Sequence, residues 1–190
     1  MRERVRIIVR APTVILSVLL VLLDGSLIAL IPLAAALCHE AGHLAAMQLL
    51  GVTVREIEIT LFGAEIRSLP CAQSTLRQTV IFASGAAANL ICALLLMLPE
   101  HAPMLDFFAA CSLVLAILNL LPIRTLDGGC IAEALLGHFV PTHADRIMDV
   151  LSAATLAILW LGAVYMLLFF GGNVSLMLFC LYLFVSLYFK

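Results

Sequence analysis

The sequence is short of charge. Only 12% of its 190 residues are Asp, Glu, Lys or Arg, whereas soluble domains carry about 25%. The deficit is concentrated in long stretches: no Lys or Arg occurs between residues 11 and 54, and Asp149 is the only charged residue between 147 and 189. A bilayer crossing needs about 20 mainly apolar residues. Uncharged runs of this length therefore indicate an integral membrane protein.

Other features are also missing. The six cysteines show no CxxC pair and no regular spacing, so they are interpreted as small apolar residues of membrane helices rather than a disulfide framework. A net charge of −2 provides no polycationic surface, which argues against a nucleic-acid partner. About six crossings would use most of the chain. We therefore expect one domain, residues 1–190, and no separate soluble domain.

Breaks in the apolar pattern predict the fold class, an all-α polytopic membrane protein with a small interfacial β-hairpin. Asp24-Gly25-Ser26 and Gly171-Gly172-Asn173 are turn signals. The arginine-rich start resembles a signal peptide, but no small-residue cleavage site follows, so an uncleaved first helix is expected. The predicted transmembrane segments are 6–23, 27–50, 78–98, 104–122, 148–170 and 174–189.

Charge asymmetry orients these segments. Under this division every basic residue falls on one side, and the opposite loops hold only Asp24, Glu100 and Asp106. Basic loops stay in the cytoplasm, so both termini are predicted to be cytoplasmic in a multi-pass protein of the bacterial cytoplasmic membrane. The basic residues are Arg2, Arg4, Arg6, Arg10, Arg55, Arg67, Arg77, Arg124, Arg146 and Lys190.

Residues 52–68 do not resemble a crossing. Apolar and polar residues alternate there, most clearly from Ile57 to Leu61, and Phe62-Gly63 is a turn candidate. Alternation with a period of two predicts a half-buried strand pair, here a hairpin at the cytoplasmic interface. Two interpretations stay open. The hairpin only links two helices, or Ile57–Leu61 is an edge strand that binds an extended substrate through its backbone.

The residues best suited to chemistry are His39, Glu40 and His43, in the sequence HEAGH. On a helix the two histidines are one turn apart and share a face, so their imidazoles can bind one metal ion. Glu40 is rotated by about 100° from His39, which suits a general base beside the metal. Ionisable residues in a bilayer are costly unless they are paired or bind an ion, so a zinc site is favoured over histidines that merely bond backbone or bind haem. Cys38 is a weaker candidate for a fourth ligand.

A catalytic zinc needs a third protein ligand and an open position. His101 lies in the opposite loop, and His138 and His143 lie in a predicted cytoplasmic loop. Asp127 follows the fourth crossing, but the HEAGH motif lies about 12 Å below the end of its helix. Asp127 reaches that depth only if the chain turns back into the bundle. A break after Pro122 would allow such a turn.

HEAGH in an early helix, together with the segment Asn-Leu-Leu-Pro-Ile-Arg-Thr-Leu-Asp-Gly-Gly at 119–129, resembles the site-two protease family of intramembrane zinc metalloproteases. The likeness covers nearly the whole chain. Within that family it is greatest to the stage IV sporulation proteases of spore-forming bacteria, which release a sigma factor from a membrane-attached precursor. The resemblance implies a membrane-associated protein as substrate, Zn²⁺ as cofactor and the lipid bilayer as environment.

The resemblance also implies site residues. His39, His43 and Asp127 correspond to zinc ligands and Glu40 to the general base. Asn119 matches a family asparagine near the substrate and the metal. The candidate substrate or oxyanion residues are Asn119, Asn89, Gly85, Phe62 and Gly63.

Two departures from the family pattern concern prolines. Gly85 lacks the proline that often follows it, and Thr125 replaces a proline common before the LDG motif. The regulatory domains of other members are missing, so regulation is expected from membrane-protein partners.

Three other functions compete with proteolysis. A pseudoprotease is disfavoured because no catalytic residue is missing. A metal-binding protein or transporter would need polar residues along several helices. A prenyl-protein endopeptidase would supply a downstream glutamate ligand instead of LDGG.

Overall fold

The computed structural model describes residues 6–9, 18, 22, 27–60, 63–68, 74–97, 102–170 and 174–188. The chain folds as two compact units, residues 1–118 and 119–190. The helices in the described part are α1 (Ile31–Leu49), α2 (Thr75–Met97), α3 (Pro103–Asn119), α4 (Asp127–Phe139), α5 (Ala144–Phe170) and α6 (Ser175–Tyr188), and the 3-10 turn Leu27–Leu30 precedes α1. The strands are β1 (Arg6–Val9), β2 (Val54–Thr60) and β3 (Gly63–Ser68).

Helix α1 ends at a glycine that its geometry requires. Gly51 has a φ of 69°, in the left-handed region that glycine adopts without a steric penalty. The amide of Val52 donates to the carbonyl of Met47 at 2.8 Å. This bond and the glycine form a common type of helix terminus, in which the last carbonyls of the helix are satisfied.

Helices α1 and α2 pack closely and run in opposite directions. His43, late in α1, contacts Ile81, early in α2, while Cys38, earlier in α1, contacts Cys92 near the end of α2. Gly42 lies at the crossing, where a Cβ atom would come within 2.5 Å of the Ser84 carbonyl oxygen. Small residues let membrane helices approach in this way. The close approach fixes which side chains of α1 meet α2.

The three strands form one sheet in the order β1-β2-β3. β1 is parallel to β2, with Val9 opposite Ile59, and β3 is antiparallel to β2, with Gly63 opposite Thr60. β2 is therefore the central strand. The interpretation that Ile57–Leu61 is an edge strand is wrong for Ile57–Ile59, because these residues pair with β1 on one side and with β3 on the other. Leu61 itself lies outside the described residues.

The same strand corrects the first predicted segment. The crossing at 6–23 was expected to be helical from its start, but Arg6–Val9 is a strand. Its partner β2 begins 45 residues after Val9 along the chain, and parallel pairing of this kind leaves no local signature in the sequence. Much of the remaining segment lies outside the described residues.

In the second unit, α5 and α6 pack around a buried apolar cluster consisting of Ile123, Leu126, Leu156, Ala163, Cys180 and Leu183. Helix α4 was not expected, because the pair Gly128-Gly129 was interpreted as a break. Both glycines are buried in the first turn of this helix. Their Cβ positions would collide with the carbonyl groups of Leu120 and Ile123, so the helix packs directly onto the preceding loop.

Two described helices are long and apolar enough to cross a membrane, Thr75–Leu96 and Ala144–Phe170. Within the most apolar 18-residue stretch of each helix, only 28% and 11%, respectively, is buried inside the protein. A core helix of a soluble protein would be mostly buried, so the exposed apolar surface of these two helices fits the predicted membrane location. Helices α3 and α6 are also apolar, with 17 and 14 residues.

Candidate metal centre

The two histidines of HEAGH face each other on one side of α1. His39 and His43 are buried, with 5% and 7% of their surface exposed, and their Nε2 atoms are 3.1 Å apart. Two nitrogens that bind one tetrahedral zinc at 2.0–2.1 Å would be about 3.3 Å apart. The observed separation is close to that value, so this pair fits a shared metal ion.

A backbone contact orients the second imidazole. The Nδ1 atom of His43 lies 2.8 Å from the carbonyl oxygen of Ile81 on α2. A carbonyl only accepts hydrogen bonds, so Nδ1 carries the proton and Nε2 keeps a lone pair directed towards His39. Metal-binding histidines are commonly held by such an outer bond.

Gly85 keeps the space around these nitrogens open. It is buried in α2, and a Cβ atom there would lie 2.6 Å from Cε1 of His43 and 2.7 Å from Nε2 of His39. Both distances are far shorter than van der Waals contact. The sequence suggested Gly85 as a substrate or oxyanion residue, and the structure places it against the two imidazoles.

Asp127 is the first residue of α4 and is half-buried. It belongs to the second unit, whereas His39 and His43 belong to the first. Two imidazoles and one carboxylate are a donor set that catalytic zinc sites use, with a further position left for water. The residue types fit zinc, and the ligand roles stay predictions.

Hydrogen bonds and an ion pair hold the loop before Asp127 against α5. The amide N–H of Arg124 donates to Oγ of Ser152 at 3.1 Å, and Ser152 is completely buried. The guanidinium group of Arg124 lies 3.2 Å from Oδ1 of Asp149 and donates to the carbonyl oxygen of Asp145 at 3.1 Å. These contacts hold the turn that precedes Asp127.

Sequence reasoning missed this role of Arg124 and used the residue only as a topological marker. A signal was available. Arg124 is the only basic residue between Arg77 and Arg146, and the acids Asp145 and Asp149 follow one turn apart. Acids one turn apart lie on one face of a helix, where an isolated arginine from elsewhere in the chain can pair with them.

The other predicted residues occupy varied positions. Glu40 is half-buried next to His39, and Asn119 is half-buried at the end of α3. Asn89 is fully buried, and neither atom of its amide has a hydrogen-bond partner in the described structure. It is four residues after Gly85, so it lies on the same face of α2. A buried amide of this kind needs a ligand or a water molecule.

Several candidates lie elsewhere. His138 and His143, the alternative third ligands, are exposed, and Nδ1 of His143 lies 2.8 Å from Oγ1 of Thr142. Gly63 begins β3. Phe62 and His101 fall outside the described residues.

Comparisons with known proteins identify a similar fold. The fold is similar to that of the Site-2 Protease from Methanocaldococcus jannaschii, with a TM-score of 0.66 over 91% of this chain and 83% of that chain. At 18% sequence identity, this likeness establishes the fold alone. A family model described as Peptidase family M50 matches residues 99–162, which include Asp127 but not α1. A search of curated proteins gives no significant match.

Proposed function

We propose that the chain is an intramembrane zinc metalloendopeptidase of the site-2 protease family that cleaves a membrane-associated protein. The observation that carries the proposal is the buried imidazole pair, whose Nε2 atoms are 3.1 Å apart. The fold, the M50 match and the apolar exposed helices support it.

Three side chains would hold the zinc, namely His39, His43 and Asp127. When bound, zinc supplies a Lewis acid that acidifies water and polarises a carbonyl group. Glu40 follows His39 on α1 and is half-buried. Its carboxylate is assigned the general-base role: it accepts a proton from the attacking water and returns it to the leaving amine.

Two asparagines are candidates for binding the substrate. The buried amide of Asn89 has a free donor and a free acceptor, which suit a peptide group or a water molecule. Asn119 ends α3, eight residues before Asp127, and an amide donor there would stabilise a developing oxyanion. Gly85 contributes by leaving room, not by contact through a side chain.

A sigma-factor precursor is the proposed substrate, and sporulation the proposed setting. Support for both comes from the likeness of HEAGH and the 119–129 segment to the sporulation proteases. A multi-pass arrangement with about six spans and cytoplasmic termini is likewise proposed from the charge pattern. Regulation of the proteolytic activity by other membrane proteins is also proposed.

The test is co-expression with membrane-tethered transcription-factor precursors, comparing wild type with Glu40→Gln. The variant keeps its zinc and its fold but loses cleavage, because an amide cannot accept the proton of water. Glu133→Gln on α4 makes the same chemical change in a residue without an assigned role, and it should cleave normally. Appreciable cleavage by Glu40→Gln would refute the base assignment. A wild type that binds zinc but cleaves no tethered precursor would favour an idle metal-binding protein or transporter.

A further inference from the structure

Two cysteines meet at the interface between α1 and α2. The Sγ atoms of Cys38 and Cys92 are 3.4 Å apart, and both residues are free thiols, half-buried between the helices. Small apolar packing would explain either cysteine alone. Packing alone does not require the two sulfur atoms, which are 54 residues apart in sequence, to point at each other.

The backbone holds this contact in place. Cys38 is one turn before Gly42 on α1, and Cys92 is one turn after Ala88 on α2. At Gly42 a Cβ atom would come within 2.8 Å of Cβ of Ala88, so the two helices are in tight contact there. The sulfur atoms lie on the same faces, one turn further along.

We propose that Cys38 and Cys92 are a redox pair that closes reversibly to a disulfide and ties the helix carrying His39 to α2. A disulfide has an S–S length near 2.05 Å, so closure shortens the observed separation by about 1.4 Å. Small rotations about the two Cα–Cβ bonds supply a movement of this size. The proposal does not depend on proteolysis, because it concerns two thiols that have no role in the proposed reaction.

The oxidant is a low-molecular-weight disulfide, RSSR. One cysteine attacks a sulfur of RSSR, forms a mixed disulfide and releases RSH. The second cysteine then attacks the protein sulfur, forms the Cys38–Cys92 bond and releases another RSH. The two thiol protons leave on the two RSH molecules. Each step is reversible, so a reducing cytoplasm reopens the pair, as expected of the transient disulfides found in that compartment.

The cysteine pair lies next to the imidazole pair. Cys38 directly precedes His39, whose Nε2 contacts that of His43. Closing the disulfide fixes the turn of α1 that begins the HEAGH motif against α2, which carries Gly85. The same interface thus contains both the redox pair and the imidazole pair.

The test treats the full-length protein, in membranes, with dithiodipyridine, a membrane-permeable disulfide, and maps the cysteines by mass spectrometry. The expected result in wild type is a peptide pair joined through Cys38 and Cys92, with the loss of two hydrogens and restoration by dithiothreitol. In Cys38→Ser, the joined peptides are lost and Cys92 carries one thiopyridyl group. Cys92→Ser gives the mirror result, and agreement between the two variants excludes a folding defect of one of them.

Cys180→Ser is the matched control, because it removes a buried cysteine of the second unit and should leave the joined peptides unchanged. Wild-type protein in which Cys38 and Cys92 stay reduced, or carry separate thiopyridyl groups, overturns the proposal. Equal crosslinking of Cys38 to other cysteines overturns it as well.

Discussion

Gly85→Ala tests the candidate metal centre with the smallest change. The added methyl group would lie 2.6 Å from Cε1 of His43 and 2.7 Å from Nε2 of His39, about 1 Å closer than ordinary contact. Overpacking of this kind costs about 1–3 kcal/mol. If the histidine side chains rotate away to relieve the overpacking, they must return to their original positions to bind zinc. The overpacking energy then reduces the free energy of zinc binding, and zinc affinity should fall about 5- to 150-fold.

The assay is a zinc titration of purified wild type and Gly85→Ala, with thermal stability measured in the absence of metal. Gly162→Ala is the matched control, because a Cβ atom at that helical position meets no atom within 4 Å. It should bind zinc normally and gain slightly in stability from the better helix propensity of alanine. Wild-type zinc affinity in Gly85→Ala would refute the argument that the imidazoles bind metal in the space beside this glycine.

Three further predictions follow from the described contacts. Asp127→Ala should lose most bound zinc by elemental analysis; if full zinc is retained, Asp127 is not a ligand. Ser152→Ala should lower the free energy of unfolding by about 1–3 kcal/mol, since the partly buried amide of Arg124 loses the hydroxyl to which it donates. Asp149→Ala should cost under about 1 kcal/mol, since that carboxylate is exposed; equal thermal shifts would contradict this ranking. Ile59→Pro should disrupt both ladders of β2 and speed hydrogen exchange in β1 and β3 relative to Ile59→Val; unchanged exchange would argue against the central position of β2.

Helices occur where long apolar runs predict them. Helices α1, α2, α3, α5 and α6 cover the second to the sixth predicted segments, because uncharged sequence of this kind has few alternatives to helix in a membrane. The spacing of His39 and His43 likewise leads directly to two imidazoles on one face. These features depend on residues close together in the chain, so they can be predicted from the sequence.

The features that sequence reasoning missed depend on distant partners. β1 lies beside β2, and although its β-branched residues Ile7, Ile8 and Val9 favour a strand, they do not identify a partner strand so far along the chain. The pair Gly128-Gly129 indicates a break by propensity, yet it begins a helix because the Leu120 and Ile123 carbonyl groups leave no room for a side chain. In the second case tertiary contacts override the local preference.

Small residues between α1 and α2 affect both the packing of these helices and the geometry of the imidazole pair. Gly42 lets the helices approach, and that approach brings Ile81 within reach of Nδ1 of His43 and Gly85 against both imidazoles. A larger residue at Gly42 should therefore separate the helices and remove the bond that fixes the tautomer of His43, although it touches no proposed ligand. We therefore expect zinc affinity and helix packing in this unit to be coupled, and both should be measured for any substitution at the interface.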